Sequence, residues 1–451
     1  MTCADNISTP HRSPRRRAFL CRTAPRGPGR RAGSGRRSGS VSVFSIFLIV
    51  IGIVMLMLVV NWAYLVLASQ RTERLCDILS ETAVYELLDE GRLQDQGVIA
   101  ANQTDDVANA TTAISNPIFT FLPRSGDSAG STFAAGFLKA NNDAIGPSLR
   151  INFASDMTIT AGRVENATAR IASPGNPFIP FASLPPGQPA NTLRVEILRT
   201  TGGANPAQLL IRGFDAPNAA KISGASYATL DNRLIGFRPT AMRNSPVVPL
   251  AIDLNAWFTA RPAGALDSNG NGRRELDVTL KPSDTGANGA LVQLNTASLL
   301  NPAALAALPA QIQNGIGPAD VASGFLGPAA QTAPPTLLTL SASQDSPPNG
   351  AAIVAAFSAV AVSKNPRRIF PLYNSFVAGP PATAKIIGFV GATVVGAFSN
   401  DGDADADDVP NRVIVRIEPV FIIDHTAVTA YTQGGLTVPE NTYIHKIHLT
   451  R

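Results

Sequence analysis

Cysteine is scarce in this sequence, with three residues in a chain of 451. Cys3 and Cys21 precede a long apolar run, and Cys76 is the single cysteine that follows it. So small and divided a set argues against an internal disulfide framework. We predict that Cys76 is a small buried residue on a helix face, with an intermolecular disulfide as the alternative.

Residue types and motifs that carry catalysis are also scarce, with four histidines in the whole chain. The Gly-Lys-Ser/Thr end of a P-loop occurs nowhere, and the run at 224–228 lacks the final glycine of a nucleophile elbow. His445 and His448 are three residues apart, so on a strand they project to opposite faces and form no metal pair. We therefore predict that the protein is not an enzyme and takes no small-molecule substrate.

Charged residues make up only 15% of the chain, and the positive ones are concentrated at one end. Residues 1–40 contain ten arginines against one acid, Asp5. A segment with so little apolar surface is predicted to be disordered. The arginines fit either nucleic-acid binding or membrane topology, and we predict topology, with no nucleic-acid partner, because they directly precede an apolar run.

That apolar run covers residues 41–68 and contains no charged side chain. Its polar interruptions are Ser42, Ser45 and Asn61. The length predicts a transmembrane helix in the lipid bilayer, with Trp62 and Tyr64 near the outer interface. A cleavable signal peptide ending near Ala68 is the alternative, but a signal core is shorter, so we predict an uncleaved anchor.

Residues 69–91 continue the helix, because Leu75, Ile78, Leu79 and Leu88 recur at helical spacing. Span and extension are therefore predicted to form one rod of about 45 residues, roughly 70 Å long. Two interpretations of its apolar stripe remain open. The stripe either stacks against copies or partner helices, or it packs on the outer region of its own chain.

This amino-terminal region resembles that of TadE/TadG-like proteins of the tight-adherence (Flp) pilus system. The resemblance is carried by residues 36–43 (RRSGSVSV), 61–65 (NWAYL) and 71–85 (RTERLCDILSETAVY). Asp77 stands at the Asp position that family members show in the helix after the span. A second stretch, residues 193–239, is similar to the outer regions of Tad-associated proteins.

The resemblance implies a structural or accessory component of a pilus or secretion assembly in a bacterial inner (cytoplasmic) membrane. Its implied partners are other assembly subunits, contacted through the membrane and juxtamembrane helix. The alternative is a membrane-tethered, calcium-stabilised adhesion or envelope interaction module that belongs to no pilus.

The remainder of the chain is predicted to be a mainly β, sandwich-like extracytoplasmic region, so that the fold class is membrane-anchored α+β. Alternation at residues 193–197 and 412–418 predicts strands, and Pro302 after Asn301 predicts a short helix that Pro309 kinks or ends. The predicted segments are a cytoplasmic tail (1–40), a transmembrane helix (41–68), an extracytoplasmic helix (69–91), a connector (92–150), a β-rich unit (151–300), a helical and Pro-rich linker (301–340) and a second β-rich unit (341–451).

Two oxygen-rich runs are candidate calcium sites, because calcium takes six to eight oxygen ligands in flexible geometry. The first consists of Asp401, Asp403, Asp405, Asp407 and Asp408. The second consists of Asp267, Asn269, Asn271 and Glu275. An acidic surface loop between strands also explains the first run and needs no ion, and a tight Asn-Gly hairpin turn is the stronger interpretation of the second run. No other cofactor is predicted.

Overall fold

The computed structural model describes about three fifths of the chain. The described residues are 39–88, 106–108, 110, 151, 156–171, 175–200, 207–209, 211, 219–259, 267–268, 270, 273–280, 289–291, 302–321, 325–327, 338–340, 350–377, 382–399, 413–433 and 435–450. Residues 1–38 of the predicted tail (1–40) and the first calcium run lie outside these residues.

One long helix opens the described chain. Helix α1 covers Gly39–Val84, 46 residues, and a 3₁₀ turn at Tyr85–Leu87 follows it. The helix contains no proline, and apolar residues with good helix propensity fill its first half. It ends where Leu88 adopts an extended backbone. The predicted continuous rod is confirmed.

The rest of the described chain is mainly β. In chain order the strands are β1 (Met157–Arg163), β2 (Ile179–Pro180), β3 (Thr192–Arg199), β4 (Ala207–Gln208), β5 (Ala219–Ala220), β6 (Ile222–Asp231), β7 (Leu234–Phe237), β8 (Leu250–Asp253), β9 (Leu276–Leu280), β10 (Gly289–Leu291), β11 (Leu338–Leu340), β12 (Arg367–Val377), β13 (Ala382–Ser399), β14 (Val413–Pro419), β15 (Ile422–Ile423), β16 (Ala427–Thr429), β17 (Thr432–Gln433), β18 (Leu436–Thr437) and β19 (Ile444–Thr450). The further helices are α2 (Leu254–Thr259), α3 (Pro302–Asn314) and α4 (Gly350–Ala361), and short 3₁₀ turns lie at Phe181–Ser183 and Pro318–Asp320.

The first sheet has six strands in the order β15-β19-β6-β3-β1-β2. Its pairs are antiparallel except β15 with β19. The predicted strand at 193–197 is confirmed as the centre of β3, where Leu193, Val195 and Ile197 are fully buried on one face. This alternation gives the sheet one continuous apolar face.

The second sheet has seven strands in the order β11-β13-β12-β8-β10-β9-β14, and β13 also pairs with β14. Six of these strands thus close into a ring, an arrangement that the expected sandwich did not include. Helix α4 lies against β13 and β14. The core here contains Trp257, Phe357, Phe370 and Phe389, each at most 2% exposed. Smaller two-stranded pairs are β7 with β16, β17 with β18, and β4 with β5.

Both large sheets combine strands from the two predicted β-rich segments, 151–300 and 341–451. The first sheet takes β1, β2, β3 and β6 from before residue 300 and β15 and β19 from after it, and the second sheet mixes β8 to β10 with β11 to β14. Residues 151–300 and 341–451 therefore do not each form a sheet of their own. By contacts, Val60–Arg451 is one compact unit and Met1–Val59 another.

Helix α3 confirms the short helix predicted near Asn301, because it starts at Pro302. Pro309 does not end it, since the helix continues to Asn314. Leu308 and Ile312 are 3% and 0% exposed, respectively. Their burial stabilises the turn in which proline removes a backbone donor.

Candidate functional site at the long helix and its junction with the sheet

The first half of α1 is an apolar surface. Every residue from 43 to 59 is exposed, including Phe44 at 63% and Leu56 at 62%. By length and composition the helix is able to cross a membrane, a test that a signal sequence also passes. A continuous apolar surface of this size on a soluble protein marks a contact site for lipid or protein.

The later half of α1 packs on the first sheet. Its buried residues recur at helical spacing and are Ala68, Thr72, Leu75, Cys76, Leu79, Ser80, Ala83 and Val84. The apolar ones from Leu75 to Val84 share a core with Leu193, Val195 and Ile197 of β3 and with Ala228 and Leu230 of β6. Of the two interpretations of the apolar stripe, the structure shows packing on the outer region of the same chain.

Small residues on β6 permit the close approach of helix and sheet. A Cβ atom at Gly224 would lie 3.1 Å from Thr72 Cγ2 and 3.2 Å from the backbone nitrogen of Glu73. Farther along, Ser80 Oγ donates to Ser226 Oγ at 3.3 Å. Larger side chains at these two β6 positions would separate the helix from the sheet.

An amide in the apolar run of α1 is hydrogen bonded to Ile211. Asn61 Nδ2 donates to the carbonyl oxygen of Ile211 at 2.8 Å, and the Ile211 backbone nitrogen donates to Asn61 Oδ1 at 2.9 Å. Above this contact, Tyr64 and Leu65 pack beside Ala68 and Ile222. Four residues at the end of the predicted span therefore contact the β region of their own chain: Asn61, Tyr64, Leu65 and Ala68. In the sequence, Asn61 is recognisable only as a polar interruption of the apolar run, because its partner lies 150 residues away.

Cys76 lies fully buried between helix and sheet, which confirms the predicted buried residue on a helix face. Burial raises the pKa of its thiol to about 12, although a hydrogen bond with the Ile197 backbone opposes that shift. A thiol that is both buried and protonated at neutral pH is unreactive.

A charged network joins three separate parts of the outer region. Arg233 donates to the Glu165 carbonyl oxygen at 2.6 Å, to Glu165 Oε1 at 3.0 Å and to Glu440 Oε1 at 3.3 Å. Arg163 reaches the same Glu440 oxygen at 3.1 Å. Tyr431 covers the Arg233 guanidinium at 4.7 Å. These contacts give the nearly buried guanidinium of Arg233 hydrogen-bond acceptors and opposite charges. The arrangement has the geometry of a structural ion-pair network.

The second calcium run is only partly described. Glu275 Oε2 accepts hydrogen bonds from the Ser268 backbone nitrogen at 3.0 Å and from Ser268 Oγ at 2.7 Å. It also lies 3.7 Å from Arg416 Nε, which binds Asp277 at 2.8 Å. One oxygen of Glu275 thus contacts both Ser268 and Arg416.

Asn269, Asn271 and the run of Asp401, Asp403, Asp405, Asp407 and Asp408 lie outside the described residues. Where the structure does describe the chain, Asp267 and Glu275 included, it contains no group of three or more His, Cys, Asp or Glu side chains able to hold a metal ion. Calcium binding at either run stays a prediction.

The two histidines of β19 have different surroundings. His445 is buried, its Nε2 lies 3.3 Å from the Thr442 carbonyl oxygen, and burial lowers its pKa to about 4. His448 Nε2 lies 2.9 Å from Thr429 Oγ1 and 3.6 Å from Asp231 Oδ2. Burial also lowers the pKa of His448, partly opposed by Asp231. Each ring is fixed by its own neighbours.

The fold thus defines a mainly β protein with one long amino-terminal helix that is apolar and exposed over its first half. No protein family matches the chain, and no curated protein or solved structure matches it. The functional conclusion therefore depends on the geometry of α1 and its junction.

Proposed function

We propose that this chain is a single-pass membrane protein that serves as a structural or accessory component of a Tad/Flp-like pilus or secretion assembly. The observation that carries the proposal is the exposed apolar surface of α1 over residues 43–59. Such a helix surface is stable against lipid or against other apolar helices. A subunit that is anchored in a membrane and joined to an assembly there contacts both lipid and the apolar helices of its partners.

Charge supports one orientation of the helix. The ten arginines of residues 1–40 directly precede the span, and basic residues in that position stay on the cytoplasmic side. The β region is then extracytoplasmic, and the membrane is the inner membrane of a bacterium. An extended anchor followed by a large β region suits a structural role better than a catalytic one.

The packing of α1 limits where assembly partners bind. The stripe from Leu75 to Val84 is already covered by the first sheet. Partner subunits therefore contact the span over residues 43–59, or the outer surface of the β region. Within a membrane, close helix pairing depends on small residues that let backbones approach. Gly52 is the glycine of this stretch, and a Cβ there meets nothing within 4 Å in its own chain.

Purification of the tagged full chain from its native membranes in mild detergent tests the proposal. We expect a secretion ATPase and other assembly subunits to co-purify with the chain. Gly52→Leu should weaken that co-purification, whereas the matched control Val54→Leu, at an already large exposed residue, should not. A membrane-bound chain that purifies alone would contradict the assembly role and would favour the tethered adhesion module.

A further inference from the structure

The contact between Asn61 and Ile211 has a consequence for the β region if α1 spans a bilayer. Twenty residues of helix separate Val41 from Asn61, and twenty residues rise about 30 Å, the thickness of a hydrocarbon core. With Arg36 and Arg37 at the cytoplasmic surface, Asn61 falls at the outer boundary of the apolar layer. Ile211, hydrogen bonded to Asn61 at both backbone groups, then lies at the same depth.

The hydrogen bonds at this contact suit a low-polarity boundary. Irregular backbone enters a lipid environment only where its N–H and C=O groups are paired within the protein. Asn61 pairs both groups of Ile211, and Ile211 in turn pairs the two polar ends of the Asn61 side chain. Neither residue therefore carries the cost of an unpaired amide into the boundary.

The neighbouring residues have the chemistry of a membrane interface. Leu209 and Ile211 are half-buried apolar residues, and Trp62, beside Asn61 on α1, is 69% exposed. About two helical turns farther along α1, Ile222 packs on Ala68, and its neighbour Lys221 is exposed. An aromatic ring at the boundary and a cation above it match the acyl and phosphate levels of a lipid leaflet.

We infer that the β region rests directly on the bilayer through a second membrane contact, formed by Leu209 and Ile211 next to Asn61. This contact places Leu209 and Ile211 at the boundary between headgroups and acyl chains of the outer leaflet. The inference rests on the proposed membrane span and adds that the β region is seated on the lipid surface, not suspended above it.

Site-specific fluorescence in vesicles tests the contact in the full chain. Cys3→Ser and Cys21→Ser leave Cys76, which is buried and has a raised pKa and so escapes labelling. Three single cysteines, Leu209→Cys, Val54→Cys and Met242→Cys, then carry an environment-sensitive dye in phosphatidylcholine vesicles. The quenchers are phosphatidylcholines brominated either near the headgroup or near the chain end.

Met242 is the matched water-facing control. Met242 is 99% exposed. Its neighbour Arg243 interacts electrostatically with Tyr85, near the far end of the helix. Tyr85 is 24 residues from Asn61, or about 36 Å along the helix, so residue 242 is far from the bilayer. We expect the dye at 209 to show a blue shift and strong quenching by the headgroup-proximal bromines. The dye at 54 should be quenched by the chain-end bromines, and the dye at 242 by neither.

The outcomes separate the two proposals. If the dye at 54 is quenched but the dye at 209 behaves like the one at 242, the second contact is wrong and the span stands. If the dye at 54 also escapes quenching, the membrane span itself fails. Asn61→Ala should release Ile211 and lower the quenching at 209 to the level at 242 without affecting 54. Unchanged quenching at 209 in that variant would overturn the role given to Asn61.

Discussion

Some polar side chains of this protein are buried among apolar ones. His445 is such a residue, since it lies buried on β19 with its ring 5.6 Å from that of Phe421. Its Nε2 lies 3.3 Å from the Thr442 carbonyl oxygen. A neutral imidazole suits this environment, because burial disfavours the charged form.

The buried His445 predicts a loss of stability in mild acid. Its pKa is about 4 in the folded protein and 6.5 in an unfolded chain, so the unfolded state binds a proton first as pH falls. The free energy of unfolding should therefore decline between pH 6.5 and 4, by up to about 3 kcal/mol from this residue. The lowered pKa of His448 acts in the same direction. Chemical denaturation of the full chain in detergent at a series of pH values measures the slope.

His445→Gln separates this effect from the titration of carboxylates. The variant keeps a neutral polar group but cannot gain the proton, so its stability should depend less on pH over the same interval. Its stability at pH 7.5 shows whether the substitution itself is tolerated. Equal slopes for the two proteins would assign the acid sensitivity to other groups.

At the scale of elements, α1 is one helix with two environments. Its first half is exposed, and the half beyond residue 67 packs on the first sheet through residues spaced three and four apart. The contact depends on β6, where Gly224 and Ser226 leave room for the helix. On the buried face of β6, small residues therefore lie where the helix crosses the strand, and the larger Ile222 and Leu230 lie on either side.

Gly224→Val tests how closely helix and sheet must approach. Its side chain would meet Thr72 and the backbone of α1, so we expect destabilisation of about 1–3 kcal/mol in thermal or chemical unfolding. Gly388→Val on β13 is the matched control, because a Cβ there meets nothing within 4 Å. The control should be neutral or slightly stabilising, since valine favours strands. Equal effects at both positions would contradict the tight junction.

Local periodicity predicted those elements whose burial repeats regularly. It identified α1, β3 and β14, because their apolar residues follow the helical or strand period. It did not indicate that β6 packs against a helix, because Gly224 and Ser226 carry no apolar signal. The Asn61 contact was equally unpredictable, since nothing near Ile211 in the sequence identifies a partner 150 residues away.

At the scale of the whole outer region, the sheets cannot be divided at one point in the sequence. Residues of β15 and β19 contribute to both cores: Ile422 and Ile444 belong to the core of the second sheet, and Ile423 and Ile447 pack against the core of the first. The Pro-rich composition of residues 301–340 predicts a linker there. Which strands pair across that segment depends on long-range contacts that local composition does not encode.

This sharing of strands predicts cooperative unfolding of the outer region. Trp257 reports on the second core, and labelling of the Cys76 thiol reports on the first. In a chain with Trp62→Phe, Cys3→Ser and Cys21→Ser, both signals should change at the same guanidinium concentration. Two separated midpoints would show that the cores unfold as independent domains.

Protease protection tests the topology of α1 directly. Tags added before Met1 and after Arg451 should behave differently in right-side-out membrane preparations from the native cell. We expect added protease to remove the carboxy-terminal tag, while the amino-terminal tag survives until detergent opens the membrane. The protein should also stay with the membranes through an alkaline wash. Release into the soluble fraction, or equal digestion of both tags, would contradict the proposed membrane anchor.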